Sequence, residues 1–344
     1  MDVFSDVPLQ RLNTFALKVK AARVVEYDSS AELEDIDFKV LPQPVKHIGG
    51  GSNLLFTGDF PGTLLHSRIR FIKPVEMQEY VLVKVGSGVL WDDLCAWAAD
   101  HGLWGVENLS LIPGEVGAAA VQNIGAYGAE AADVIESVEV YEPATKAFSV
   151  IPAADCAYGY RTSRFKEQWK GKYIVTSVNI KLSKEYSPRT EYGNVRSALV
   201  ERYGELEMDN LTPSRVRETV IAIRRTKLPD PKEVGSAGSF FRNPIVSKEA
   251  YRHVEKVAAR EALGDVPHYN MGELIKIPAA WLIEKCGWKG KTLGNAGVYP
   301  KQALVIINAT GEATPAEILA LEKAIVESVQ DKFAITLTPE VEHI

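Results

Sequence analysis

The chain has 344 residues, 46% hydrophobic and 24% charged, enough for two or three domains around a substantial buried core. A formal charge of −6 and a pI of about 5.7 argue against a nucleic-acid binder, which needs a strongly basic face. No apolar run is long enough for a membrane span, so no membrane-embedded role is expected.

In chain order, Val45 to Ile48 reads as a short strand feeding Gly49-Gly50-Gly51-Ser52-Asn53. Asn53 to Phe56 and Gly62 to Leu65 look extended. Tyr80 to Val85 is a strand ending at Gly86-Ser87-Gly88. Trp91 to His101 reads as a helix with Leu94, Trp97 and Ala98 on one face. Ile135 to Tyr141 and Tyr173 to Leu182 are Val/Ile-rich strands. Thr212-Pro213 opens a helix whose apolar face is Val216, Val220 and Ile223. Leu228-Pro229-Asp230-Pro231 stops it and marks a domain boundary. A last helix begins at Thr314-Pro315-Ala316-Glu317, a capping box, with Ile318, Leu321, Ile325 and Val329 as its buried stripe. A final strand is expected over Ala334 to Thr338. The class is therefore α+β, without the regular βαβ alternation of a dinucleotide-binding sheet.

The three cysteines, Cys95, Cys156 and Cys286, are dispersed and read as small hydrophobic residues rather than a disulfide framework. No histidine or cysteine spacing suggests a metal site. Met1 to Asp6 is acidic and unlike a secretory signal, so a cytoplasmic location is expected. Gly290-Lys291-Thr292 resembles the end of a P-loop, but Lys285 stands where that loop needs glycine.

Three consecutive glycines after a strand let backbone N–H groups converge on an anion, with Ser52 and Asn53 adding donors. Taken alone, the run fits a tight hairpin turn equally well. A second stretch, Leu111 to Ala120 followed by Val121 to Gly128, again combines small residues and amides, which let backbone approach a large flat ligand. Close helix packing would use the same residues. Two such stretches are harder to read as turns.

Several runs are more specific. Asn13-Thr14-Phe15, Gly50-Gly51-Ser52-Asn53, Ile112-Pro113-Gly114 and Gln122-Asn123-Ile124-Gly125-Ala126-Tyr127-Gly128 come first. Tyr160-Arg161, Lys227-Leu228-Pro229-Asp230-Pro231, Gly235-Ser236-Ala237-Gly238-Ser239-Phe240-Phe241-Arg242-Asn243-Pro244 and Pro339-Glu340-Val341 follow. In this order they resemble the UDP-N-acetylenolpyruvoylglucosamine reductases over nearly the whole chain. Thr190-Glu191-Tyr192-Gly193-Asn194 resembles the substrate-closing tyrosine loop of one subtype. Arg242 stands where lysine is usual, which keeps the charge.

The resemblance implies an FAD-binding fold of the vanillyl-alcohol oxidase/p-cresol methylhydroxylase type, with two α+β lobes over 1–70 and 71–227. A smaller α+β substrate domain over 228–330 and a returning C-terminal strand over 331–344 complete it. It implies non-covalent FAD, NADPH as hydride source, and a UDP-sugar substrate whose enolpyruvyl ether is reduced. Gly49, Gly50, Gly51, Ser52 and Asn53 would hold the FAD diphosphate. Ile112, Pro113, Gly114, Gly117, Asn123, Ile124, Gly125, Ala126 and Tyr127 would line the cofactor further along. Arg161 would stabilise the enolate, Ser239 donate the proton and Glu340 polarise the enolpyruvyl group. Tyr160, Tyr192, Lys227, Asn243, Tyr269, Lys276 and Gln302 would face the substrate. An alcohol or sugar oxidase of the same flavin fold would not need Ser239, Arg161 and Glu340 together. A non-catalytic nucleotide-sugar binder would not need the glycine run.

Overall fold

The computed structural model describes residues 1–344. Strands β1 (Asp2–Pro8) and β2 (Lys20–Tyr27) open the chain. After them, β3 (Val45–Ile48) enters the glycine run, β4 (Leu54–Leu55) leaves it, and β5 (Phe60–Ser67) returns parallel to β3. The register sets Val45 opposite Thr63 and Ile48 opposite His66. These strands form a sheet in the order β1-β2-β5-β3.

Next come β6 (Ile72–Glu76), β7 (Tyr80–Gly86), α1 (Trp91–Asp100), α2 (Val116–Gln122) and the short hairpin β8 (Gly125–Ala126) and β9 (Ala129–Glu130). With β10 (Ile135–Glu142), β11 (Ala147–Pro152) and β12 (Ile174–Ser183), an antiparallel sheet forms in the order β11-β10-β12-β7-β6. Alternation along β7 buries Val81, Val83 and Val85 and leaves Tyr80, Leu82 and Lys84 partly exposed. The buried row packs in one core with Leu94, Cys95 and Ala98 of α1 and Val116, Ala119 and Ala120 of α2. Each full-sized side chain so buried contributes about 1.5–3 kcal/mol of transfer free energy. Trp97, on the expected face of α1, is partly buried and stacks on His101 at 4.3 Å.

Helices α3 (Val195–Tyr203) and α4 (Pro213–Lys227) follow. The Thr212 hydroxyl accepts from the Arg215 N–H at 3.2 Å, and Val216, Val220 and Ile223 share a core with Val195 and Leu199. The rest of the chain supplies β13 (Gly235–Ser239), β14 (Ile245–Ser247), α5 (Lys248–Arg260), β15 (Tyr269–Met271), β16 (Leu274–Lys276) and α6 (Ala279–Lys285). Strands β17 (Thr292–Leu293), β18 (Ala296–Val298) and β19 (Val305–Asn308), helix α7 (Pro315–Phe333) and β20 (Glu342–His343) end it. Two antiparallel sheets run β13-β19-β18-β17 and β14-β16-β15. The Thr314/Glu317 capping box forms as expected, and Ile318, Leu321, Ile325 and Val329 are fully buried.

The chain divides into two compact units. The first comprises Met1–Val7, Ala21–Gly50 and Pro61–Arg225; the second comprises Pro8–Lys20, Gly51–Phe60 and Thr226–Ile344. The chain therefore changes unit after Val7, Lys20, Gly50, Phe60 and Arg225, and the crossing after Gly50 falls inside the glycine run.

One expected element is corrected. Ala334 to Thr338 is not a strand. Ala334 takes φ 54° as the left-handed end of α7, and residues 335–338 form no regular element. Ile335 and Leu337 are buried, so the apolar alternation reported burial rather than pairing. Regular pairing comes only at Glu342–His343, which lie parallel to β4.

Candidate active site

In the first unit the two glycine-rich stretches meet. A Cβ on Gly49 would stand 3.1 Å from the Ala118 Cβ and 3.3 Å from Glu115 Oε2. The second stretch is clamped along residues 87 to 92. Leu111 N–H donates to Asp92 Oδ1 (2.6 Å), Trp91 N–H to the Gly114 carbonyl (3.0 Å), and Gly117 N–H to the Ser87 carbonyl (3.0 Å). Gly117 has to be glycine at this spacing, because a Cβ would come 2.8 Å from the Ser87 Cβ. Ile112 and Gly114 are partly buried and Pro113 is exposed on this clamped segment. Asp92 is anchored in turn by a two-pronged pair with Arg217 of α4, at 2.5 and 3.0 Å.

Beyond α2 the chain turns at Asn123, whose φ is 49°. Its side chain locks the turn, donating to Glu130 Oε2 (2.8 Å) and the Gly159 carbonyl (2.9 Å) and accepting from the Ala132 N–H (2.9 Å). Partly buried Ile124 leads to the β8–β9 hairpin, which pairs Gly125 and Ala126 with Glu130 and Ala129. Its two turn residues, Tyr127 (φ 48°) and Gly128 (φ 79°), are both left-handed, the geometry of a two-residue hairpin. A Cβ on Gly128 would lie 3.1 Å from the Tyr192 Cβ, so the Tyr192 loop rests on this hairpin tip. Tyr192 itself is 43% exposed.

Arg161 sits in a tight turn closed by reciprocal 3.1 Å bonds between Gly159 and Thr162. Its φ of 57° is unusual for a residue with a long side chain and marks a backbone held against local preference. Its guanidinium donates to the carbonyls of Asn123 and Gly125 and lies 5.7 Å from the Tyr160 ring. Gly125 is the close-approach point, because a Cβ there would meet Arg161 Nη1 at 2.8 Å.

Arg224, near the end of α4, is not among the residues the sequence motifs single out. It is partly buried, and its Nε is buried without a hydrogen-bond partner. Burial comes first in pulling its pKa down, opposed by Tyr127 and Asp92 and assisted by Arg161. A partly buried cation with one buried, unfilled donor, beside Tyr127 and another arginine, suits an anion. Its helical spacing from Val220 and Arg217 was the available signal.

The second unit gathers a different set. Thr14 N–H bonds the Gly51 carbonyl at 3.3 Å, and Ser236 N–H bonds the Thr14 carbonyl at 2.9 Å. Gly51 takes φ 68°, and a Cβ there would fall 1.9 Å from the Leu12 carbonyl oxygen. Ser52 and Asn53 follow in a turn. Asn53 Nδ2 donates to the Glu340 carbonyl (3.2 Å), and the Asn53 carbonyl accepts from the Glu342 N–H (3.0 Å). The Glu340 N–H donates to the Phe240 carbonyl at 2.8 Å. The end of the glycine run, the residue after Ser239 and Glu340 are thus tied together.

Ser239 is exposed at the end of β13, past a bulge between Ser236 and Ser239 in which Gly238 has φ 70°. The bulge re-aims the side chain while Phe240 and Phe241, both fully buried, fix the backbone after it. Among the remaining expected residues, Lys227 ends α4. Asn243 Oδ1 accepts from the Ala279 N–H at the start of α6 (2.9 Å). Tyr269 and Lys276 are cross-strand partners, with the ammonium 5.1 Å from the ring centre. Gln302 lies in the turn between β18 and β19, its Oε1 accepting from the Leu304 N–H at 3.3 Å. Arg161, Tyr160 and Tyr192 belong to the first unit, and Ser239, Glu340, Asn243, Tyr269, Lys276 and Gln302 to the second.

Residues 21–149 match the family model of an FAD binding domain. The contacting glycine-rich stretches and the unfilled Arg224 Nε fit such a group, since they offer close backbone approach and a spare N–H on a cation. With a separate α+β region after it, the chain is a flavin-dependent oxidoreductase with an added C-terminal domain.

Residues 230–344 match the C-terminal domain of UDP-N-acetylenolpyruvoylglucosamine reductase. A reductase of that name from Bacteroides fragilis is 46% identical over 335 residues, covering 96% of this chain and 97% of the relative. Its namesake from Porphyromonas gingivalis is 41% identical over 350 residues, covering 100% of both. The crystal structure of UDP-N-acetylenolpyruvylglucosamine reductase from Thermus caldophilus superposes with a TM-score of 0.68 at 25% identity, covering 100% of this chain and 99% of the other. The chain belongs to the UDP-N-acetylenolpyruvoylglucosamine reductase family.

Proposed function

We propose that this chain reduces the enolpyruvyl ether of UDP-N-acetylglucosamine to UDP-N-acetylmuramate, a precursor step of peptidoglycan synthesis in the cytoplasm. The observation that carries the reading is the tie between Asn53, Phe240 and Glu340, which couples the glycine run to the Ser239 and Glu340 segments. Bound non-covalently, FAD would carry a hydride from NADPH to the substrate. Gly49, Gly50, Gly51, Ser52 and Asn53 would hold its diphosphate, with Arg224 as an added cation. Ile112, Pro113, Gly114, Gly117 and Asn123 to Tyr127 would line the rest.

The remaining chemistry is proton and charge management. Reduction of the vinyl group builds enolate charge beside a carboxylate, and a planar guanidinium is suited to both. Arg161, whose guanidinium is oriented by two carbonyls, would meet that charge. Ser239 would hold the proton delivered to the second vinyl carbon. Glu340 would polarise the enolpyruvyl group from the segment bonded behind Phe240. Lys227 would pair with the UDP diphosphate. Tyr160, Asn243, Tyr269, Lys276 and Gln302 would orient the nucleotide sugar, and Tyr192 would close over it. The division of roles follows the four segments 1–70, 71–227, 228–330 and 331–344.

The test is anaerobic. NADPH should bleach the flavin absorbance of the purified protein, and the enolpyruvyl nucleotide sugar should restore it. Persistent bleaching after substrate addition would sink the proposal.

A further inference from the structure

Behind the first two glycines lies a charge arrangement that the family motifs do not describe. His66, on β5, is the register partner of Ile48, the residue just before Gly49. It is only 7% exposed. Its Nε2 lies 2.9 Å from Glu115 Oε1 and its Nδ1 lies 3.2 Å from Glu26 Oε1. Glu115, 4% exposed, reaches under the turn: its Oε2 stands 3.3 Å from where a Gly49 Cβ would be, and its Oε1 3.8 Å from that of Gly50.

Both ring nitrogens of His66 therefore face carboxylates. A neutral imidazole has one N–H and one lone pair, so one of the two contacts would set a lone pair against a carboxylate oxygen. Only the imidazolium makes both hydrogen bonds. A carboxylate directly behind a turn that takes a diphosphate is otherwise unfavourable, because like charges at this range repel through poorly screened protein.

We propose that His66 is a positioning residue for the anionic part of the cofactor: its imidazolium neutralises Glu115 behind Gly49 and Gly50, so that the turn can accept a diphosphate. The inference rests on the FAD reading of the glycine run. Around His66 stand Glu26 and Tyr27 of β2, His47 of β3, Arg68 just after β5, and Glu115 before α2. Arg68 Nη1 engages the other Glu26 oxygen at 3.0 Å, and the Tyr27 hydroxyl pairs with His47 Nε2 at 2.7 Å. Burial, then the His66 charge, hold His47 at a pKa of about 3, so it stays neutral. Burial raises the Tyr27 pKa, so it stays protonated. His66 is thus the group that titrates. Burial pulls its pKa down, but Glu115 and Glu26 together outweigh this and leave it above 6.5. The proton is held below the raised folded value and lost as pH rises through it, so diphosphate affinity falls on the alkaline side.

The experiment measures the FAD dissociation constant of the deflavinated full chain by quenching of flavin fluorescence, from acid to alkaline pH. Wild type is expected to lose roughly tenfold in affinity along the alkaline limb. His66→Gln should be weaker by roughly tenfold at neutral pH and lack that limb. Glu115→Gln, which is isosteric and needs no counter-proton, should bind tightly with a flat profile. Added to His66→Gln, it should restore the affinity, whereas a merely structural pair would leave the double variant at least as weak as His66→Gln. A flat wild-type profile with tight binding, or failure of that rescue, overturns the proposal. Absence of FAD binding in wild type at every pH overturns the cofactor reading instead, and this proposal with it.

Discussion

Replacing Gly51 with alanine should damage both the fold of the second unit and flavin retention. Two costs can be separated. The left-handed backbone, φ 68°, costs a residue with a Cβ about 1 kcal/mol. The second cost is steric. The new Cβ would stand 1.9 Å from the Leu12 carbonyl oxygen and 2.9 Å from the Asn13 Cα, and both are backbone. That backbone has little freedom to withdraw. Leu12 N–H bonds the Leu9 carbonyl at 2.8 Å. Asn13 Nδ2 bonds the same carbonyl at 2.7 Å, and Asn13 Oδ1 accepts from the Leu17 N–H at 2.9 Å. Moving Leu12 by about an ångström would sacrifice one or two of these bonds, at roughly 1–2 kcal/mol each. The total is roughly 2–5 kcal/mol. Gly272→Ala is the matched control, since Gly272 also has φ 68°, belongs to the second unit, and has nothing within 4 Å of where the new methyl would stand. It should cost only the backbone part, about 1 kcal/mol. Urea unfolding followed by circular dichroism reads both. Equal losses for the two variants would refute the steric reasoning and leave Gly51 as an ordinary turn residue.

Three further outcomes follow from the geometry. Ser239→Ala should leave flavin reduction by NADPH nearly intact and cripple reoxidation by substrate; equal loss of both half-reactions in stopped-flow absorbance would contradict the proton-donor role. Asp92→Asn removes the charge that holds Arg217 and weakens the anchor of Leu111. It should destabilise by about 2 kcal/mol, below the fully buried case because the Asp92 side chain is 31% exposed. Burial pushes the Asp92 pKa up, but Arg217 and the Leu111 N–H win and leave it below 3.8. Its contribution is therefore full above 3.8 and lost as pH falls through the depressed folded value, so the wild-type advantage in urea melts should shrink in acid. Gly128→Ala crowds the Tyr192 Cβ and strains a φ of 79°, so it should raise KM for the nucleotide sugar more than it lowers the rate of flavin reduction by NADPH.

What was readable in the sequence is what the backbone constrains. Gly51, Gly117, Gly125 and Gly238 are glycine because a Cβ is excluded or because φ is positive, and such positions leave a residue-type signature. Helix α7 was legible from its capping box and its apolar period, since both are local. The strand over Ala334 to Thr338 was misread because alternation reports which side chains are buried and is blind to whether a partner strand exists. The arginines of α4 are alike in sequence for a related reason: Arg215, Arg217, Arg224 and Arg225 all read as helix cations, and only packing separates the one that pairs Asp92 from the one whose Nε is left unfilled.

Glu115 shows where the boundary falls. In sequence it is one charged residue inside a glycine-rich stretch and would pass for a solvated side chain. Folded, it is 4% exposed and bonded to a histidine forty-nine positions earlier. A buried carboxylate is sustained only by partners that satisfy its charge, and those partners are set by register between strands rather than by local spacing. The pairing of Ile48 with His66 decides that the imidazole stands beside the start of the glycine run. The backbone signature therefore marks the glycine run in the sequence, whereas the charge balance behind it becomes visible only once the strands are paired.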